Sequence, residues 1–253
     1  MRRFAMLALL AAPLAAGPAW AQQISPGQAA EVAARYSTPL QVSPAMPNPA
    51  GAFTLRMNGG FVGAAAPAAT GLTADAFFGL TDQLGLNVRS SYSQTGPTLV
   101  QGRWNDVRLE GQWAVMQTPD KAAALSLVGA GLMPGGPGGP NLAAIAPGVG
   151  IRGVGTAGPL QANVDALYRV APGELDFGIA GVLQLGDQLS GTLDLTGTIP
   201  VAGGQAAPTS LGITPGVVFR LTPGIRLGAG YVIPLQGTPP QGGQLLAHLQ
   251  LGM

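Results

Sequence analysis

The chain has no cysteine, one histidine, one lysine and, beyond its first 21 residues, no apolar run long enough for a membrane helix. Without cysteine there is no disulfide frame, no thiol nucleophile and no lipidated cysteine behind a processed N-terminus. A lone histidine removes histidine-based metal sites, and no acidic cluster has calcium-loop spacing. Charged residues make up only 9% of the chain and the net charge is +1, so nothing favours nucleic acid or an acidic partner. A soluble surface usually carries far more Lys and Glu. No cofactor is expected. A mature chain that resides in a membrane without an apolar helix has to cross it as a closed β-barrel.

What the chain does have is glycine, proline and alternation. Residues Leu175, Phe177, Ile179, Gly181, Leu183 and Leu185 alternate with Asp176, Gly178, Ala180, Val182 and Gln184. After Gly186-Asp187-Gln188 the pattern restarts, with Leu189, Gly191, Leu193, Leu195, Gly197 and Ile199 against Ser190, Thr192, Asp194, Thr196 and Thr198. A period of two means strands with one apolar and one polar face. Extended from Gly51, this reading gives about 12 strands, an even number of the kind bacterial barrels use. They fall near 51–63, 72–82, 84–94, 105–117, 122–133, 144–154, 160–170, 175–186, 189–200, 211–221, 225–236 and 243–253. Thr98 to Trp104 is read as loop rather than as a further strand. Short turns follow the even strands, and most connections after odd strands are longer and richer in Gly and Pro, the asymmetry of outer-membrane barrels. Pro172-Gly173 is the exception, a tight turn on the long-loop side.

Residues 1–21 read as a cleavable secretory signal. Arg2 and Arg3 form the basic start, Phe4 to Ala16 the short apolar region, and Ala19-Trp20-Ala21 the cleavage site. The competing reading, a membrane anchor, needs a longer run, and Pro13 interrupts this one. Residues 22–50 form a separate segment. Ser25-Pro26 opens a short Ala-rich helix, and the proline-rich part after it is extended. The segment is either a disordered periplasmic leader or a plug folded into a lumen. Residues 51–253 are the barrel.

Phase across the turns assigns the faces. A tight turn at Pro172-Gly173 sets Val170 opposite Leu175 and Arg169 opposite Asp176, an ion pair at the extracellular rim. The turn at Thr222-Pro223-Gly224 sets Leu221 opposite Ile225, with Arg220 and Arg226 sharing the other face. Arg56, Asp75, Arg89, Arg108, Glu110, Arg152, Asp165, Arg169, Asp176, Asp194, Arg220 and Arg226 all take the polar phase. An Arg facing lipid near the midplane costs about 2–4 kcal/mol, so this segregation fits lipid outside and water inside. A secreted β-sandwich shows the same alternation. Its outward face would be the charged one, and here that face is mainly Gly, Ser and Thr. Aromatic girdles are thin: Tyr92, Trp104, Tyr168 and Tyr231 are the candidates, with Trp113 nearer a strand middle.

Two blocks carry a family likeness. One is Trp104-Asn105-Asp106-Val107-Arg108-Leu109 with Trp113, Thr118-Pro119-Asp120-Lys121 and the run from Ala123 to Gly135. The other is Phe78-Gly79-Leu80-Thr81-Asp82-Gln83-Leu84. The chain resembles the Gram-negative outer-membrane barrels grouped as phenol-degradation (MetA-pathway) transporters. The resemblance implies a transporter-like barrel and, as solutes, small hydrophobic or aromatic compounds. The final strand, GQLLAHLQLGM, has the alternation of an outer-membrane insertion signal, although it ends in Met253 where an aromatic is usual.

Three function classes follow. A passive pore or small-solute transporter comes first, a structural or assembly barrel with a filled lumen second, and an autotransporter-like translocation domain third; no passenger lies between signal and barrel. The expected partners are outer-membrane lipids, the outer-membrane assembly machinery and a small-molecule solute, with the oligomeric state open. The outer-membrane phospholipases need a His-x-Ser context that Ala247-His248-Leu249 lacks, so His248 is expected to be a polar lumen residue rather than a base. Arg56, Arg89, Arg108, Glu110, Asp165, Asp194 and His248 are expected to line the lumen. Counting along the strands sets a basic wall, Arg56 and Arg89, against an acidic wall, Asp165 and Asp194; ion pairs bracing a closed barrel are the alternative. Arg152, Arg220 and Arg226 are expected at the periplasmic mouth. Gly148 to Gly153 formally matches GxGxxG, but inside an alternating strand it marks curvature or close packing.

Overall fold

The period-two pattern becomes a closed antiparallel barrel of 12 strands. The structure, a computed structural model, describes residues 39–62, 69–95, 101–135, 139–141, 143–171, 173–201, 209–236 and 243–253. The secretory signal and the Ala-rich helix expected after Ser25 lie outside the described residues, as do most of the long loops.

The strands are β1 (Phe53–Val62), β2 (Ala69–Gly79), β3 (Leu84–Thr95), β4 (Gln101–Gln117), β5 (Ala123–Pro134) and β6 (Ala146–Ala157). They continue as β7 (Leu160–Arg169), β8 (Glu174–Gln184), β9 (Leu189–Pro200), β10 (Ser210–Thr222), β11 (Ile225–Gln236) and β12 (Gln244–Gly252). Each pairs with its neighbours in sequence, and β12 returns to β1 from Gln244↔Val62 to Gly252↔Thr54. Closure satisfies every edge, which is what allows a sheet to stand in hydrocarbon.

Burial is inverted relative to a soluble core. Ile179 and Val149, on the outward phase, are 49% and 58% exposed, whereas Asp75, Arg152, Asp194 and Thr214, on the inward phase, are 0% exposed. Leu193, Leu109, Val217, Leu227 and Leu245 continue the outward apolar surface. A barrel that places its apolar side chains outside and its charges inside is built for a lipid surround.

Four details differ from the sequence expectation. Strand β4 begins at Gln101 and runs for 17 residues, so Gln101 to Trp104 are strand rather than loop; they pair with Thr95, Gln94, Ser93 and Tyr92 across a bulge. Because β4 is so long, its hairpin with β5 reaches past the β2–β3 turn, with Ala114 N donating to Gln83 O at 2.8 Å. Trp113 therefore sits level with Leu84, near the short-turn end rather than mid-strand. Phe53 and Phe78 lie at that end as well, ring centroids 4.8 Å apart.

The β7–β8 register also shifts. Gly173, at φ +84°, donates its N–H back to Arg169 O at 3.0 Å, so the turn takes in Val170 as well. Tyr168 is then opposite Leu175 and Arg169 opposite Glu174, while Asp176 faces Leu167. At the β10–β11 turn Arg220 and Arg226 are opposite one another as expected. A bulge takes up Leu221, and Thr222 faces Ile225 in its place.

Candidate functional site

The inward side chains of β1 to β8 form one connected electrostatic network. Register alone sets Arg56, Asp75, Arg89 and Arg108 in a row across β1 to β4. Asp75 is shared: Arg56 donates from Nε at 3.0 Å and NH2 at 2.8 Å to its Oδ2, and Arg89 Nε donates to its Oδ1. Farther round, Glu110 Oε2 accepts from Arg152 NH2 at 2.7 Å and from Asn87 Nδ2 at 2.8 Å. Arg152 also reaches Asp165 at 3.2 Å and the Gln112 amide oxygen at 3.2 Å.

Asp176, near the long-loop end, is held by Arg108 at 3.1 Å and Arg169 at 2.9 Å, with Thr198 donating to it at 2.8 Å. Arg169 pairs with Glu174 at 2.5 Å as well. Strands β4 and β8 are not neighbours, so the Arg108–Asp176 bridge crosses part of the bore. Charges removed from water persist only when paired in this way.

Opposed basic and acidic walls do not form. Arg56 and Arg89 are separated by Asp75, a single carboxylate in the polar phase that both share. Arg152, expected at the mouth, is 0% exposed in the middle of β6 and holds Glu110 and Asp165. The strand's bounds explain the displacement: β6 runs to Ala157 rather than ending near 154, which moves Arg152 from near its end to its middle. His248 is buried on the inward face with Nδ1 2.7 Å from Asn58 Oδ1. Gly148 and Gly150 are simply strand, and a Cβ on Gly148 would lie 3.0 Å from Leu132 Cδ1.

Residues 39–50 lie inside the bore, against β1 to β5 and against β9, β10 and β12. The segment crosses the short-turn rim at Pro49, whose carbonyl oxygen lies where a Cβ on Gly79 would be, and Ala52 N donates to that carbonyl at 2.9 Å. Inside, Asn48 Nδ2 donates to Phe77 O at 2.9 Å. Ala45 O accepts from Gln112 Nε2 and Ser126 Oγ, each at 2.5 Å. Arg89 NH2 donates to Ser43 Oγ at 3.0 Å and Arg56 NH1 to Val42 O at 2.9 Å. Asp194 accepts the Gln41 N–H at 2.6 Å, and Thr196 Oγ1 is 3.0 Å from Gln41 Oε1.

Leu40, 0% exposed, packs with Val218 and Leu246. The sequence pointed to a segment here but gave none of these partners. The signal was in β10 and β11, whose inward phase carries Gly216, Gly228 and Gly230 where a filled wall would carry side chains.

Beyond Gln41 and Val42, toward the long loops, an open chamber of about 400 Å³ remains. Arg89, Arg108, Asp165, Leu167 and Asp176 contribute to one side of its lining, and Thr196, Val232 and Pro234 to the rest.

No family model matches the chain, and no curated protein sequence does. Solved structures do. An outer-membrane channel from Pseudomonas putida F1 aligns with a TM-score of 0.59 at 12% identity, over 84% of this chain and 100% of that one. The NanC porin aligns with a TM-score of 0.57 at 10% identity, over 78% of this chain and 97% of its own. The KdgM porin gives 0.52 at 7% identity, over 78% and 98%. At such identities the likeness is one of architecture: the chain has the closed, all-β, 12-stranded fold of outer-membrane porin-like barrels.

Proposed function

We propose that the chain is an outer-membrane pore or transporter for small solutes, narrowed by its own residues 39–50. The observation that carries this is the open chamber of about 400 Å³ inside a closed, polar-lined barrel. That volume falls within the roughly 300–1,000 Å³ of small-molecule sites. Its mixed lining, charged on one side and with Val232 and Pro234 on the other, suits the small hydrophobic or aromatic compounds that the family resemblance implies. With the short turns on the periplasmic side, the chamber opens toward the long extracellular loops and residues 39–50 narrow the bore beneath it.

The test is conductance in a planar bilayer of the chain from Gln22 onward and of a variant lacking residues 24–49. The full chain is expected to conduct weakly and the deletion several-fold more. No current through either protein, both shown folded by heat-dependent gel migration, would overturn the pore reading. The second reading, a structural barrel with a filled lumen, draws on the Arg108–Asp176 bridge across the bore and expects that null result.

Ion selectivity gives an independent check. Arg220 and Arg226 are opposite one another on β10 and β11 near the short turns. Reversing both to Glu is expected to move the reversal potential in a salt gradient toward cations. An unchanged potential in a conducting variant would take the ion path away from this wall.

A further inference from the structure

The segment in the bore is not pressed against a featureless wall; the wall is cut to its shape. On β10 and β11 the inward positions opposite Leu40 are glycines, and a Cβ on Gly230 or Gly228 would lie 2.7 or 2.9 Å from a Leu40 methyl. Gly216 leaves still less room, and Gly178 is relieved in the same way for Val42, at 2.8 Å. Val218 and Leu246 complete an apolar socket around Leu40. Beside it, Asp194 accepts the Gln41 backbone N–H at 2.6 Å. On the far side, Gln112 and Ser126 converge on a single carbonyl, that of Ala45.

Socket, carboxylate and carbonyl clamp all read one short stretch, Leu40 to Ala45. None of this contact is strand pairing: the barrel closes through its own ladders, from β1 round to β12. The stretch can therefore leave without opening the sheet, and what it leaves behind is a glycine-lined groove down β10 and β11. The opposite half of the bore stays bridged by Arg108–Asp176 and Arg152–Glu110.

Resting on the pore reading above, we infer that the lumen wall is a receptor surface for an extended peptide, residues 40–45 of this chain, with β9 to β12 taking Leu40 and Gln41 and β4 and β5 taking Ala45. Leu40 is its anchor, and the groove vacated when Leu40 withdraws is the conducting path.

The test uses the variant lacking residues 24–49 and a synthetic peptide, PLQVSPAMPNPA, which reproduces residues 39–50. Added to the open variant, the peptide is expected to lower its current at least threefold in a saturable manner. The same peptide with Ser replacing its Leu is expected to need at least tenfold higher concentration. In the full chain, Leu40→Ser is expected to raise open probability at least threefold. In the deletion variant, Gly230→Trp is expected to cut the current severalfold.

Equal block by both peptides, or no block by either, would overturn the receptor. Insensitivity to Gly230→Trp would overturn the path. Each of these failures differs from failure of the pore reading, in which the deletion variant carries no current to begin with.

Discussion

Asp75→Asn is expected to destabilise the barrel by about 3–5 kcal/mol, the cost of removing one partner from a buried ion pair. The reason is local stoichiometry. Asp75 is the carboxylate between Arg56 and Arg89, with side-chain exposures of 0% for Asp75, 1% for Arg56 and 18% for Arg89. Its neutral isostere keeps the shape and leaves two guanidinium groups side by side with no anion between them. What remains to them is a carbonyl, Val42 O, and a hydroxyl, Ser43 Oγ, both on the removable segment.

Urea unfolding in lipid vesicles measures the loss. Asp75→Asn combined with Arg89→Gln is expected to recover more than half of it, because only one cation is then unpaired. Asp176→Asn is the control. Asp176 is 24% exposed and sits by the open chamber, so the same change there is expected to cost no more than about 1 kcal/mol. Equal costs at the two sites would mean that the network's burial does not set its energetics.

The fold was legible because the information that specifies a barrel is local. Residues 175–185 and 189–199 alternate, and each short turn hands the phase on to the next strand, so strand number and inside-versus-outside could be read from spacing alone. Heights could not. Arg152 falls near the end of a strand expected to stop at 154, but β6 runs on to Ala157 and leaves it in the middle. The β4–β5 hairpin overshoots the β2–β3 turn, which shifts the levels beside it. One unpaired residue at a turn has a similar effect: Gly173 in the left-handed region absorbs Val170, and Arg169 changes partner from Asp176 to Glu174 across the ladder.

The site was legible in its ingredients and not in its wiring. Every member of the ion-pair network is in the polar phase of the sequence, Asp75 included. Whether two arginines face an acidic wall or share one carboxylate depends on which strands are adjacent at which level, and spacing within a strand does not encode that. Leu40 shows the same limit more sharply. Nothing in Thr38-Pro39-Leu40-Gln41 announces an anchor; the cue lies far along the chain, in three glycines where inward side chains belong.

Ile179→Arg is expected to cost about 2–4 kcal/mol of folding free energy in phospholipid vesicles, the penalty for Arg at the midplane of a barrel's lipid face. Ile179 is in the middle of β8, 49% exposed, paired with Val164 on one side and Leu195 on the other. No carboxylate shares that face of β8, so the guanidinium would have to snorkel toward a headgroup along an apolar strand. Thr198→Arg places the same side chain on the inward phase, beside Asp176 and the open chamber. There it meets water and an anion, and is expected to cost no more than about 1 kcal/mol.

The pair of substitutions separates two molecules that share an alternating sequence. If the outward face meets water, as in a sandwich, Arg at Ile179 is a surface change worth roughly half a kcal/mol or less, and Thr198 is the damaging site. If it meets lipid, the order reverses. Unfolding curves for both variants in vesicles, read against the unsubstituted chain, give that order directly, and equal stability at Ile179→Arg would remove the bilayer from the account of this fold.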